Sequence, residues 1–160
     1  MLLRELVEQG HCLFADRADS WQEAVRMSCR PLVEDATVDA DYSEQIIACV
    51  ERYGPYIVLV PGFAVPHSQE GAKGANRTAL SFMKLAEPVS FAAGEPEKDA
   101  SVFFAVSATD SDAHLKNMSR LFQVLSDDTL CAELLNVRSE AELLALDAKY
   151  LSSEEHPHEN

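Results

Sequence analysis

Residues 56–67 read YIVLVPGFAVPH, and this stretch decides how the fold presents its last residue. Two apolar runs rich in β-branched side chains lie on either side of a Pro-Gly pair and predict strands at 56–60 and 63–65. Pro66 fixes its own φ and holds the residue before it extended, so the backbone position of His67 is well defined. We therefore predict an imidazole at the point where a buried strand meets solvent.

Helical and strand patterns alternate through the rest of the chain. Capping patterns that begin at Ser20 and Asp41 each predict a helix. We expect Pro31 to kink or break the first helix and Gly54 to end the second. Strands are predicted at 78–85, where Glu87-Pro88 should end the run, and at 101–108. Further helices are predicted at 112–126, 127–136 and 139–150.

The intermixing of these elements predicts an α/β fold in which helices flank a mixed β-sheet. In the helix at 112–126, a spacing of three and four residues predicts one apolar stripe facing the core. Its members are Leu115, Met118, Phe122 and Leu125.

Composition restricts the class of partner. The chain has 160 residues, which suits one domain, and 13 Lys+Arg against 27 Asp+Glu give a net charge of −14. Nucleic acids and anionic membranes need basic patches, so we expect neither as a partner, whereas a basic protein is permitted. Charged residues occur as early as Arg4 and Glu5, which is too early for a signal peptide. No apolar run approaches the length of a membrane span. We expect a cytoplasmic protein without direct membrane insertion.

The four cysteines form no Cys-x-x-Cys pair, and the expectation is four reduced, structural thiols. No spacing of histidine and cysteine predicts a zinc site, and no phosphate-binding glycine loop predicts a nucleotide site. We therefore expect no metal and no cofactor.

Two histidines are the candidates for chemistry. A neutral imidazole such as His67 is a good nucleophile near neutral pH, although the ring of a strand-end histidine can also simply bond a carbonyl. His114 lies in the first turn of a helix that Asp110-Ser111-Asp112 caps, where free N–H groups suit a phosphate; the alternative is a half-buried packing residue. Each histidine follows a predicted buried strand. If the strand ends are neighbours, one ring could act as nucleophile and the other could bond the transferred group.

Other candidates are weaker. Ser68 is adjacent to His67 and therefore rarely faces it, but its hydroxyl could contact a phosphate. His11 is expected to be structural or solvent-exposed. His156 and His158 lie in a polar tail, residues 151–160, that we expect to be disordered.

The frame GPYIVLVPGFAVPH at 54–67, together with the second segment DSDAH at 110–114, resembles a known family. The chain is similar, over about residues 1–150, to the enzyme IIA component of the bacterial phosphoenolpyruvate-dependent sugar phosphotransferase system, mannitol/fructose superfamily. The Gly-Pro-Tyr, Pro-Gly and Pro-His pairs look most like the ascorbate-type branch. The resemblance implies the mixed-sheet IIA fold of that superfamily.

The resemblance also implies a role. His67 would accept a phosphoryl group from the phosphorylated carrier protein HPr and pass it to a cysteine of the IIB component. The IIC membrane component, an indirect partner, would couple this transfer to uptake of a sugar, with ascorbate suggested by the branch alone. His114 would position the phosphoryl group. The mannitol branch has an arginine in the helix before the Pro-His strand. Arg52 lies near that place but its register does not match cleanly, and Glu51 is the alternative occupant.

Three other functions stay open at this point. A regulatory IIA-like protein would accept phosphate but use it to switch a partner's activity. A binding module would keep both histidines for structural reasons. A metal-dependent hydrolase would need a metal in the purified protein.

Overall fold

A five-stranded mixed sheet, in the order β1-β4-β5-β3-β2, organises the chain. The computed structural model describes residues 2–68 and 73–151. The strands are β1 Cys12–Ala15, β2 Val58–Val60, β3 Gly62–Ala64, β4 Ala79–Ser90 and β5 Asp99–Ser107. The helices are α1 Leu2–Glu8, α2 Trp21–Glu34, α3 Tyr42–Tyr53, α4 Ser111–Leu125, α5 Asp128–Leu134 and α6 Glu140–Leu146, which a π-helical turn at Asp147–Leu151 extends. This architecture confirms the predicted α/β class.

Helices cover both faces of the sheet and give two apolar cores. Successive side chains of a strand point to opposite faces, so Phe103 and Phe104 of β5 enter different cores. The core around Phe104 lies against α1, α4, α5 and α6, and Leu151 is among its buried residues. The core around Phe103 lies against α2 and α3. Residues 152–160, which hold most of the predicted disordered tail and both of its histidines, lie outside the described residues.

Strand direction places the candidate site. β3 and β5 are parallel neighbours, so their carboxyl ends meet at one edge of the sheet. The pairing continues beyond β3, because the Val106 N–H donates to the Pro66 carbonyl at 2.9 Å. His67 and the start of α4 follow directly from these two strand ends.

A break at Pro31 and a strand end at Glu87-Pro88 were both expected, and both are wrong. Helix α2 is not broken at Pro31 but continues to Glu34, and Pro31 itself is buried. The free energy gained by burying this turn offsets the loss of the one backbone hydrogen bond that proline cannot make. Strand β4 likewise runs past Pro88 to Ser90. Its pairing with β5 is irregular between Lys84 and Val89, so proline there need not donate to the ladder.

Helix α3 forms as predicted and ends at Gly54, whose φ is +86°. Its predicted side-chain cap does not form. Asp41 has φ −93° and ψ 4° and makes no capping hydrogen bond, whereas Ser20, with an extended backbone, accepts one from the Glu23 N–H at 3.1 Å. An N-cap residue with an extended backbone directs its side chain towards the N–H groups of the first turn. The Asp41 backbone is not extended, so its carboxylate makes no such bond.

Candidate functional site

The backbone at His67 is held by two neighbouring segments, residues 56–57 and β5. The Val65 N–H donates to the Ile57 carbonyl at 2.7 Å, next to the Pro66 bond from β5. The Tyr56 hydroxyl donates to the carbonyl of His67 itself. The segment before His67 is therefore fixed although it lies beyond the last paired residue of β3.

The His67 ring is oriented by one of its nitrogens. Nδ1 lies 2.6 Å from the Val65 carbonyl oxygen, and since a carbonyl can only accept, Nδ1 carries the proton. In the neutral ring the lone pair is then on Nε2. Burial lowers the pKa of His67; the bond to Val65 opposes this shift, and the nearby His114 adds to it. The ring is thus kept neutral to lower pH than an ordinary histidine, and its free lone pair is on Nε2.

His114 lies next to this ring. Helix α4 begins at Ser111 because the Asp110 carboxylate caps it, accepting from the Ala113 N–H at 2.8 Å. The first turn of the helix then carries His114 to a ring-centroid distance of 5.7 Å from His67. The expectation that the two strand ends are neighbours is therefore confirmed.

Both rings open into one cleft of about 590 Å³. Ser68 also lines it, and the Ser68 hydroxyl lies 4.0 Å from the Cys49 sulfur. The other lining residues are Tyr42, Val106, Ala108, Thr109, Asp110, Ser111 and Leu115. The wall thus combines two imidazoles, several hydroxyls and a helix N-terminus, a set of groups that suits a phosphoryl group.

Two tyrosines of the site were missed by the sequence analysis. The Tyr42 hydroxyl donates to the Val106 carbonyl at 2.7 Å, and burial raises the pKa of that hydroxyl, so it stays protonated. Tyr56 packs edge-on against the His67 ring, with centroids 5.1 Å apart. Only the Gly-Pro-Tyr frame at 54–56 hinted at Tyr56.

Other predicted candidates lie away from the cleft. His11 is buried, with Nδ1 3.0 Å from the Leu80 carbonyl and Nε2 2.6 Å from the Asp35 carboxylate, so it is structural. The Arg52 guanidinium lies over the Tyr53 ring at 5.9 Å. Residues 69–72, which follow Ser68, lie outside the described residues.

The predicted core-facing stripe of α4 is confirmed for Met118 and Leu125 but wrong for Leu115 and Phe122. Leu115 and Phe122 are 65% and 71% exposed, while Leu121, Val124 and Leu125 are buried. The core-facing side includes Asn117, whose amide lies 3.5 Å from the Ser107 carbonyl. The helix therefore presents an apolar surface, Leu115 and Phe122, to solvent, and Leu115 belongs to the cleft itself.

Within residues 2–68 and 73–151, no group of three or more His, Cys, Asp and Glu side chains is arranged to hold a metal ion. No helix in this part of the chain has the length and apolarity required to cross a membrane.

Comparison with known proteins agrees with the geometry. The profile of the family "Phosphoenolpyruvate-dependent sugar phosphotransferase system, EIIA 2" matches residues 5–149. An ascorbate-specific PTS system EIIA component of Escherichia coli (strain K12) is 29% identical over 148 residues, covering 91% of this chain and 95% of that protein.

Two solved structures from Escherichia coli share the fold. The mannitol-specific cryptic phosphotransferase enzyme IIA CmtB is 27% identical, with a TM-score of 0.79 over 93% of this chain and 99% of CmtB. The second is a complex of enzyme IIA and phosphorylated enzyme IIB for mannitol, with a matched chain that is 22% identical. Its TM-score is 0.74 over 87% of this chain and 94% of that one, a likeness that concerns the fold alone. The chain belongs to the EIIA 2 family of the phosphoenolpyruvate-dependent sugar phosphotransferase system.

Proposed function

We propose that His67 Nε2 is the phosphoryl acceptor of this EIIA phosphocarrier. The observation that carries the proposal is the bond between Nδ1–H and the Val65 carbonyl, which leaves the Nε2 lone pair as the nucleophile in a ring that lines the cleft. His114 and Ser68 are proposed to bond the phosphoryl oxygens. Burial raises the pKa of Cys12 and of Cys29 to about 12, so these two thiols are poor competitors for the phosphoryl group.

Loading requires a phosphohistidine donor, proposed to be phospho-HPr. The Nε2 lone pair forms a new P–N bond while the donor's P–N bond breaks, and the electron pair returns to the donor ring. Such a transition state needs in-line placement and stabilisation of charge on three oxygens. The His114 ring lies next to His67, and Ser111 at the start of α4 lines the same cleft; both are proposed to supply that stabilisation.

Unloading reverses the direction. A IIB thiolate attacks phosphorus, and Nε2 leaves with its electron pair. Nδ1 keeps its proton throughout and continues to donate it to the Val65 carbonyl. The IIB partner is proposed because a related fold has been solved with a phosphorylated IIB.

The likeness to an ascorbate-specific component supports ascorbate as the sugar. We place the transfer in the cytoplasm, with the IIC membrane component as an indirect partner.

The exposed apolar pair on α4 supports a protein as the donor and acceptor. Leu115 lines the cleft, and Phe122 lies two turns further along the same side of the helix. Exposed aromatic residues beside a reactive group are typical of protein–protein interfaces.

Phosphate labelling tests the proposal. With phosphoenolpyruvate, enzyme I and HPr, the wild-type chain should incorporate acid-labile phosphate, and folded His67→Ala should incorporate none. His114→Ala should load about a hundredfold more slowly, as expected for the loss of one charge-stabilising donor. Cys131→Ser, outside the cleft, is the control and should load normally. Normal labelling of folded His67→Ala would exclude His67 as the acceptor.

A second step separates transport from regulation. The loaded wild-type chain should transfer its label to the cysteine of a cognate IIB, and a Cys→Ser variant of that IIB should stay unlabelled. Loading without transfer to IIB, combined with a change in another protein's activity, would instead support the regulatory function.

A further inference from the structure

A second cavity, of about 480 Å³, lies well away from His67. It opens where β1 ends, beside β4, which is parallel to β1. Because β4 is antiparallel to β5, the carboxyl ends of β1 and β4 lie away from the edge that carries the histidines. Its lining residues are Phe14, Ala15, Asp16, Lys84, Ala86, Leu135, Asn136, Val137 and Arg138.

Lys84 is the unusual residue of this cavity. Its side chain is on β4 and the residue is only 9% exposed, yet among the described residues Nζ bonds only the Leu85 carbonyl, at 3.0 Å. No carboxylate of residues 2–68 and 73–151 lies within ion-pair distance of it. The covered side chain has no carboxylate partner among the described residues, and its partial burial lowers the pKa of Lys84, with Arg138 adding to that shift.

Arg138 brings a second positive charge to the same cavity. It lies in the connection between α5 and α6, and its backbone N–H donates to the Glu142 carboxylate at 3.1 Å. Its guanidinium forms no ion pair within the described part of the chain. Asp16 also lines the cavity, so two cations face one carboxylate there, in a chain whose net charge is −14.

We propose that this cavity binds a small monocarboxylate, with the carboxylate between Lys84 and Arg138 and an apolar body against Phe14 and Val137. Two cationic donors that line one cavity suit a carboxylate, which would supply the counter-ion that Lys84 lacks among the described residues. The Asp16 carboxylate repels a second negative charge, so a dianion such as phosphate should bind less well.

The binding test uses the full-length, unphosphorylated chain, so it is independent of the proposed transfer at His67. Benzoate is the probe, inorganic phosphate is the comparison, and ¹⁵N-amide shifts are followed by NMR. We expect saturable shifts with benzoate at residues 14–16 and 135–138, and weaker binding of phosphate. Shifts confined to residues 108–114, or phosphate binding as tight as benzoate binding, would overturn the proposal.

Variants test the two cations. Lys84→Met replaces a buried charge with an apolar side chain of similar length and should fold, and Arg138→Gln changes an exposed residue. Each should weaken benzoate binding about tenfold or more, since each removes one charge-assisted hydrogen bond. Lys116→Gln removes an exposed cation of α4 outside the cavity and should change nothing. If Lys84→Met does not fold, Arg138→Gln decides alone; unchanged affinity there overturns the proposal.

Discussion

The two ring nitrogens of His67 have different surroundings, and the proposed chemistry depends on this difference. Nδ1 is held by a carbonyl two positions earlier in its own chain, while the ring as a whole lines the cleft next to His114. Sequence reasoning found both histidines because each follows an apolar run. It did not find Tyr42 or Tyr56, because their hydroxyls bond carbonyls 64 and 11 positions away, and the pairing of distant segments leaves no local pattern.

The protonation of His67 can be measured directly. Because burial lowers its pKa, the NMR titration midpoint of the His67 ring should lie below 6.5, the ordinary value. His114→Gln should raise that midpoint, since a neutral amide replaces a ring that repels the charged form of His67. A midpoint at or above 6.5 in the wild-type chain would contradict the described burial of the ring.

Acid stability should depend on Asp35. Burial alone would raise the pKa of this carboxyl group, but hydrogen bonds from His11 and Thr37 outweigh it and lower the pKa to about 2 from 3.8. A lowered pKa in the folded state means that the stabilisation is present above about pH 4 and is lost as the pH falls towards 2. Urea unfolding of Asp35→Asn should therefore show a smaller loss of stability over that range than the wild-type chain. Equal losses would show that Asp35 does not contribute.

Elements were predicted well where the signal is local and poorly where packing decides. The strand after Gly62, the strand before α4 and most helix starts follow from periodicity and capping residues. Pro31 and Pro88 lie inside elements because burial and an irregular ladder accommodate them, which no local rule contains. The orientation of α4 could not be read from its spacing, because apolar residues occur on two sides of the helix and only the tertiary contacts select one.

The two capping patterns offer a matched comparison. Ser20→Ala removes an observed hydrogen bond to the Glu23 N–H and should lower the free energy of unfolding by about 1 kcal/mol. Asp41→Ala removes a side chain that makes no capping bond, so its effect should be no more than a few tenths of a kcal/mol. Chemical denaturation of both variants measures the difference, and equal losses would show that the Ser20 bond does not contribute.

At the scale of the whole molecule, one sheet separates two cores and carries two candidate sites at different ends of its strands. The parallel β3 and β5 bring together histidines from distant parts of the sequence, and the β1–β4 pair carries the buried Lys84. The first arrangement was predicted, because each histidine follows a predicted buried strand. The second depends on a connection between α5 and α6 that packs over β4, so sequence alone did not reveal it.

Two phenylalanines distinguish core from surface. Phe104 is fully buried, and Phe104→Ala should lower the free energy of unfolding by about 3–5 kcal/mol. Phe122 is 71% exposed, so Phe122→Ala should change stability by less than about 0.5 kcal/mol. If Phe122 contacts the partner, the same variant should slow phosphoryl transfer from HPr while remaining as stable as the wild-type chain. An unchanged transfer rate would remove Phe122 from the interface.

The turn between β4 and β5 has a consequence for dissecting the protein. Gly94 lies in this turn with φ +79° and open space around it, at the end of the β4–β5 hairpin remote from the Ser107 end, which leads into α4. Cleaving the chain there would place His67 on one fragment and His114 on the other. Only reassociation of the fragments, through the long β4–β5 ladder and the β3–β5 pairing, would rebuild the cleft. Acceptance of phosphate would then become a chemical readout of fragment complementation.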